Sequence, residues 1–251
     1  MMPPSDALLL DAPPDLPAAL LAPQAGCMNC DLRPVSICGA LVDEELAELA
    51  QLSERRSFAA REVLTIQGDR SDVVFNVLAG TIRLYSLLPD GRRQIVGFLL
   101  PGDFLGLSME ERSPFCADAV VDSRACCFRR AGFQEFLDRK PHLLRRLHRA
   151  AVQEMTMAQH HLVLLGKARA EVRVLSFLLH MRRRWSAIGG RSSVTVPLPM
   201  SRQDIADYIG LTISTVSRTL TALERDRRIL IVPDGVRLLD LPGIEASVAG
   251  G

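Results

Sequence analysis

Four glycines, Gly68, Gly80, Gly91 and Gly102, recur at intervals of 12, 11 and 11 residues. Between them run short segments rich in Val, Ile, Leu and Phe: EVLTIQG, DVVFNVLAGTIRLYSLL and RRQIVGFLLPGDFLG. Glycine suits tight turns because it tolerates positive φ, and Pro89-Asp90-Gly91 is itself a turn between two strands. Strands at this spacing read as a β-sandwich or rolled barrel, and we place that domain at residues 40–141. It cannot account for all 251 residues, so a second domain is expected.

Hydrophobic residues make up 48% of the chain and charged residues 24%, which excludes collagen-like, mucin-like and wholly disordered chains. No run approaches the roughly 18 apolar residues of a membrane helix, and no basic residue precedes Arg33. We therefore expect no membrane association, no signal peptide and a cytoplasmic protein. Residues 1–26 hold six prolines without a helical period and read as a flexible tail.

The charge is unevenly distributed. Residues 1–54 carry nine acidic side chains against Arg33 alone, whereas residues 166–240 carry thirteen basic against seven acidic. A basic C-terminal half is the electrostatic footprint of nucleic-acid binding. After a short acidic helix expected over 43–53, a long helix is expected at 142–166. It opens at Pro141, and Ala151, Met155, Ala158, Leu162 and Leu165 are spaced 4, 3, 4 and 3 apart. That is a coiled-coil seam, flanked by Arg145, Arg146, Arg149 and Glu154, and it implies a homodimer. A helix packed on its own β-domain would show a wider apolar stripe.

Residues 200–226, MSRQDIADYIGLTISTVSRTLTALERD, carry a helix-turn-helix pattern. Ser201 and Asp204 approximate a capping box, Gly210 supplies the turn, and Thr212 can cap the second helix. In that helix Val216, Leu220 and Leu223 share an apolar face, while Ser214, Ser217 and Arg218 project together. Arg218 is suited to the O6 and N7 acceptors of guanine. Thr212, Ser214, Thr215, Ser217 and Arg218 are the expected DNA-facing set, with Arg202 on phosphate. The segment RRILIVPDGVRLLDL reads as a β-wing, so residues 167–251 form a winged helix-turn-helix domain. No HExxH, GxSxG or phosphate-loop spacing occurs, and we expect no enzyme. His160 and His161 are read as solvated or seam residues.

Cys27, Cys30 and Cys38 form a CxxC followed, after seven intervening residues, by a third thiol. In a cytoplasmic protein this points to a metal centre or redox dithiol rather than to disulfides. Three thiolates leave a zinc or a four-iron cluster one ligand short, so Cys116, Cys126 or Cys127 must supply the fourth.

The order of parts is a cysteine segment (27–39), a β-roll with AGTIRLYSLLPDGRRQIVGF and PGDFLG, a long helix, and QDIADYIGLTISTVSR. It resembles the CRP/FNR superfamily of transcription regulators, and within it the oxygen-sensing branch of FNR, FixK and FnrN type. The resemblance spans about residues 27–240. It implies an α+β architecture of cyclic-nucleotide-binding-like β-roll, dimerisation helix and winged helix-turn-helix. It also implies an oxygen-labile [4Fe-4S] cluster on Cys27, Cys30, Cys38 and Cys126, with ADAVVDSRAC selecting Cys126. Its implied partners are a palindromic operator of FNR/FixK-box type and RNA polymerase.

Two positions depart from the branch. Ser214 stands where a glutamate is usual, and Ala158 where FNR carries an acidic residue. Two other readings use the same fold: a cyclic-nucleotide regulator, for which Leu107 replaces the ribose-binding glutamate and only Arg112-Ser113-Pro114 gives a partial echo, and a zinc or thiol-switch regulator.

Overall fold

A computed structural model of the protein describes residues 26–107, 110–189 and 194–250, so the tail expected at 1–26 lies, apart from Gly26, outside the described residues. Eight strands follow the glycine ladder: β1 (Ser53–Phe58), β2 (Val63–Thr65), β3 (Val73–Ala79), β4 (Ile82–Leu87), β5 (Arg93–Leu99), β6 (Phe104–Leu105), β7 (Cys116–Ala119) and β8 (Ser123–Arg129). They pair antiparallel into two four-stranded sheets, ordered β1-β8-β3-β6 and β2-β7-β4-β5. All four ladder glycines have positive φ. At Gly80 the requirement is twofold, because φ is 82° and a Cβ would lie 2.2 Å from the Ser123 hydroxyl.

Side chains alternate across each sheet, and this sorts the roll into three apolar layers. Phe75, Val77, Ala125 and Cys127 from the first sheet meet Ile82, Ala117 and Ala119 from the second between them. The outer face of the first sheet, with Val74, Leu78, Cys126 and Phe128, is covered by the cysteine segment and three helices. These are α1 (Asp43–Gln51), α2 (Arg130–Asp138) and the start of α3 (Pro141–Lys167). Phe133 and Phe136 of α2 are wholly buried there, with the Phe133 ring 5.2 Å from Phe104; such a side chain contributes roughly 1.5–3 kcal/mol by leaving water.

The outer face of the second sheet is covered by the C-terminal domain. That domain comprises α4 (Ala170–Gly189), β9 (Thr195–Pro197), α5 (Arg202–Ile209), α6 (Ile213–Arg225), β10 (Ile229–Val232), β11 (Gly235–Leu238) and α7 (Leu241–Ala249). The wing forms where expected, with Val232 opposite Gly235, and β9 adds a third strand to it. Helix α4 has no counterpart in the sequence reading. Its buried residues, Val172, Val174, Leu175, Phe177, Leu178, Leu179 and Met181, spread over more than half of the helix circumference rather than forming one narrow stripe. It is packed on both sides, against the helix-turn-helix and against Ile95, Phe98 and Leu100 of the roll, so a single-face period is absent.

Candidate functional site

The DNA-reading element takes its expected form. The Ser201 hydroxyl accepts the Asp204 N–H at 3.1 Å, and the Asp204 carboxylate accepts the Ser201 N–H at 3.0 Å. Gly210 ends α5 with φ 64°, and Thr212 caps α6 by accepting the Thr215 N–H at 3.2 Å. Val216, Leu220 and Leu223 are buried, which turns the opposite face of α6 outward. Arg202, Thr212, Ser214 and Arg218 are exposed, with Thr215 and Ser217 half-buried among them. The hydroxyls of Ser214 and Thr215 lie 3.0 and 2.9 Å from that of Thr212, and Arg218 Nε donates to the Ser214 carbonyl at 3.3 Å. This surface presents hydroxyls at the positive end of a helix with a guanidinium one turn on, a set able to bond phosphate and base edges.

The positive charge of the C-terminal half is not all surface. Arg184 bonds the Phe98 carbonyl at 2.5 Å and pairs with Asp103. Arg228 pairs with Glu171 at 2.5 Å. Arg173 bonds four carbonyls, Ala168 and Leu165 at 2.9 Å, Gly210 at 3.2 Å and Ile209 at 3.3 Å, and so ties the end of α3 to the helix-turn-helix turn. His161 is neither solvated nor in the seam as expected. It stacks on Tyr208 of α5 with ring centroids 4.2 Å apart, and its Nε2 lies 3.0 Å from the Tyr208 carbonyl.

The seam of α3 is open through most of its length. Met155 is 56% and Leu162 68% exposed, Ala158 is exposed, Ala151 half-buried, and Leu144, Val152 and Val163 extend the apolar stripe. Leu165 departs from it. It is half-buried, and its Cδ2 would stand 3.0 Å from a Cβ on Gly210, so its contact is with its own chain.

The six cysteines separate into two groups. Cys27, Cys30 and Cys38 are half-buried and pack into the same core as Cys126, together with Leu32, Ile37, Leu41, Phe104 and Phe128. Cys127 points to the opposite side of β8, among Phe58, Phe75 and Ala125, and buried Cys116 accepts the Gln67 N–H at 3.3 Å. The segment bearing the first three thiols is a chain of tight turns anchored by buried Leu32, Ile37 and Leu41. Ser36 caps its 3-10 turn by accepting the Cys38 N–H. Burial, reinforced by the neighbouring Cys27 and Cys30, pushes the Cys38 thiol up to about 11; burial with Cys27 and Cys38 pushes Cys126 up to about 12. Among the described residues no three His, Cys, Asp or Glu side chains are drawn round a single point as one metal ion would require.

Leu143 and Leu147 of α3 are buried in this same core. Ion pairs join α1 to the entry of α3: Glu45 with His142 at 2.8 Å and with Lys140 at 3.3 Å, and Glu48 with Lys140 at 3.3 Å and with Arg139. The thiol core is thereby continuous with the foot of the helix that carries the open seam. Elsewhere in the roll, Arg112-Ser113-Pro114 carries the partial cyclic-nucleotide echo, with Ser113 buried. Arg112 is exposed, and its Nη1 donates to the Gly68 carbonyl at 2.7 Å.

A β-roll, a long helix with an apolar outer stripe and a winged helix-turn-helix define a DNA-binding transcription regulator and not an enzyme. The models of the cyclic nucleotide-binding domain and the Crp-like helix-turn-helix domain match residues 55–140 and 172–247. The nitrogen fixation regulation protein FixK of Bradyrhizobium diazoefficiens is 48% identical over 89% of this chain and 94% of its own. The transcriptional activator protein FnrL of Cereibacter sphaeroides is 37% identical over 88% and 93%. The solved structure of FixK2 from Bradyrhizobium japonicum superposes with a TM-score of 0.72 at 32% identity, covering 77% of this chain and 96% of that one. This chain belongs to the CRP/FNR family of transcription regulators. No described helix is long and apolar enough to cross a membrane.

Sequence reasoning missed the residues that join the domains. Arg83 and Arg93 lie on strands, and their partners Asp204 and Asp207 are more than a hundred residues away, where the sequence marks Asp204 only as a helix cap. No local signal marks such pairs. Asn76 was missed as well: it is 2% exposed, lies opposite Cys126 on the neighbouring strand, and its side-chain oxygen has no hydrogen-bond partner.

Proposed function

We propose that this chain is an oxygen-responsive transcription activator that binds a palindromic operator as a homodimer. In this reading Cys27, Cys30, Cys38 and Cys126 hold a [4Fe-4S] cluster, and RNA polymerase is the partner recruited at the promoter. The observation that carries it is the gathering of four of six thiols in one core that also contains Leu143 and Leu147 of α3. One further feature suits the site to a polar guest: the orphaned amide oxygen of Asn76 belongs to a side chain on the face of Cys126.

When bound, the cluster supplies an oxygen-labile cross-link between the N-terminal segment and the β-roll. The chain's own residues do the rest. Leu32, Ile37 and Leu41 hold the thiol segment in the core; Leu143 and Leu147 make its packing the packing of the α3 foot. Met155, Ala158 and Leu162 offer the seam to a second copy, and Arg218 with its hydroxyl neighbours faces DNA. Whatever favours the dimer favours two-site DNA binding by the same free energy. FnrL is named an activator, which supports the activating sense. The test is iron and acid-labile sulfide analysis of anaerobically purified protein, with operator gel shifts before and after air. Brown protein that loses iron and DNA affinity together in air is the expected result; colourless protein with unchanged affinity would exclude it.

A further inference from the structure

The C-terminal domain is fastened to its own β-roll by an alternating chain of charges. Asp118 on β7 receives both Nε (2.9 Å) and Nη2 (2.6 Å) of Arg83 on β4. The remaining nitrogen of Arg83, Nη1, reaches across the domain boundary to Asp204 Oδ1 at 2.6 Å, and Arg93 Nη2 on β5 meets the same oxygen at 2.5 Å. Arg93 Nε then bonds Asp207 at 3.2 Å, and the side-chain amide of Gln94 donates to the Asp207 carbonyl at 2.5 Å. We propose that the chain Asp118–Arg83–Asp204–Arg93–Asp207 is a latch that sets the angle at which the recognition helix α6 leaves the β-roll, so that Arg83 and Arg93 are positioning residues for the spacing of operator half-sites. This rests on the dimeric, two-half-site reading above.

Three properties distinguish the latch from incidental surface pairing. It is buried: the Asp204 side chain is 4% exposed, with Arg83 and Asp118 at 11% and 10%. It is saturated, since Asp204 Oδ2 is already occupied by the Ser201 N–H and hydroxyl at 3.0 and 2.7 Å. The carboxylate that caps α5 is thus the one the β-roll grips, and α5 cannot tilt without breaking either cap or latch. It is also directional. The apolar contact beside it, Phe98 with Phe177 and Tyr208, tolerates sliding, whereas a guanidinium fork shared between two carboxylates fixes one arrangement. Desolvated charge pairs of this kind add little net stability and act on geometry. Three carboxylates face two guanidinium groups, so loss of an arginine strands buried negative charge while loss of Asp207 does not.

The experiment compares binding of the full-length chain to duplexes whose two half-sites are moved apart or together one base pair at a time, and to a duplex with a single half-site. Wild type, Arg83→Lys, Arg93→Gln and the exposed control Arg92→Gln are used. The latch predicts a sharp spacing optimum for wild type and control. In the two latch variants discrimination between best and next-best spacing should fall about tenfold, with single half-site binding unchanged; a merely structural defect would weaken both. If Arg83→Lys fails to fold, Arg93→Gln and Gln94→Ala carry the test, because those side chains lie nearer the rim. An unchanged optimum in the folded variants overturns the latch alone. A wild-type chain without any spacing optimum overturns the two-half-site reading and the latch with it.

Discussion

Asn76 and Cys126 face each other across the β3–β8 pair, side chains on the same outer face of the sheet. One is an amide whose oxygen has no partner, the other a buried thiol. In the metal-free chain that oxygen is a cost, since a buried polar atom without a hydrogen bond destabilises by about 1–3 kcal/mol. Asn76→Leu should therefore raise the unfolding free energy of metal-free protein by about 1 kcal/mol, while shortening the lifetime of iron–sulfur absorbance in air. Denaturant titration and an absorbance time course check the two halves; loss of stability in the metal-free form would count against the first.

Strand alternation separates Cys126 from Cys127 by a full sheet thickness. Cys126→Ser should abolish iron retention and anaerobic operator binding, as should Cys27→Ser, Cys30→Ser and Cys38→Ser, whereas Cys127→Ser and Cys116→Ser should keep iron and sulfide at wild-type levels. Iron analysis of the six variants decides.

Leu162 is the most exposed large apolar residue on α3. Leu162→Asp places like charges opposite each other in the paired seam and should give a folded monomer by sedimentation, with little binding to a palindrome. Leu165→Asp should instead loosen the α3–Gly210 contact and lower thermal stability, because that side chain rests on its own chain.

On α6, Arg218→Ala should remove about 1–3 kcal/mol of discrimination at one base pair in each half-site. Ser214→Glu should sharpen preference at the neighbouring pair, where a carboxylate can accept from a cytosine amino group. Arg202→Ala should weaken all sequences alike and reduce the salt slope by about one. Selection from random DNA reads out the first two, a salt titration the third.

His180 is held neutral by burial and by the adjacent Arg184, His161 and Arg183, which bring its pKa down to about 4. The unfolded chain takes up that proton near pH 6.5 and the folded chain does not, so stability is full above pH 6.5 and falls as the pH drops toward 4, by on the order of 2–3 kcal/mol. His180→Phe should flatten that part of the stability profile measured by denaturant midpoint against pH.

The β-roll was legible because each of its turns demands a residue type, and Gly68, Gly80, Gly91 and Gly102 all adopt the positive φ their spacing implied. The helix-turn-helix was legible for the same reason: Ser201, Gly210 and Thr212 each answer a local backbone need. Helix α4 escaped because burial on two sides erased its stripe. Period alone puts Leu165 in the seam, and period says which residues share a face but not what lies opposite; the His160-His161 pair, read as solvated or seam residues, gives no sign of the Tyr208 ring that His161 meets. The Arg83–Asp204 pair had no sequence trace, since an ion pair across the fold leaves no periodicity in either strand or helix.

Ile95, Phe98 and Leu100 of the β-roll lie in one uninterrupted apolar core with α4, α5 and the wing. Sensor and reader are therefore not interchangeable parts. A helix-turn-helix excised after Ala168 would carry a raw apolar flank where β5 had been, and a foreign reader grafted onto this roll would meet Arg83 and Arg93 with no carboxylates to receive them. Exchange of either half would therefore require the outer face of β4 and β5 to change with it, so these two strands answer in packing to the DNA-binding half as well as to their own roll.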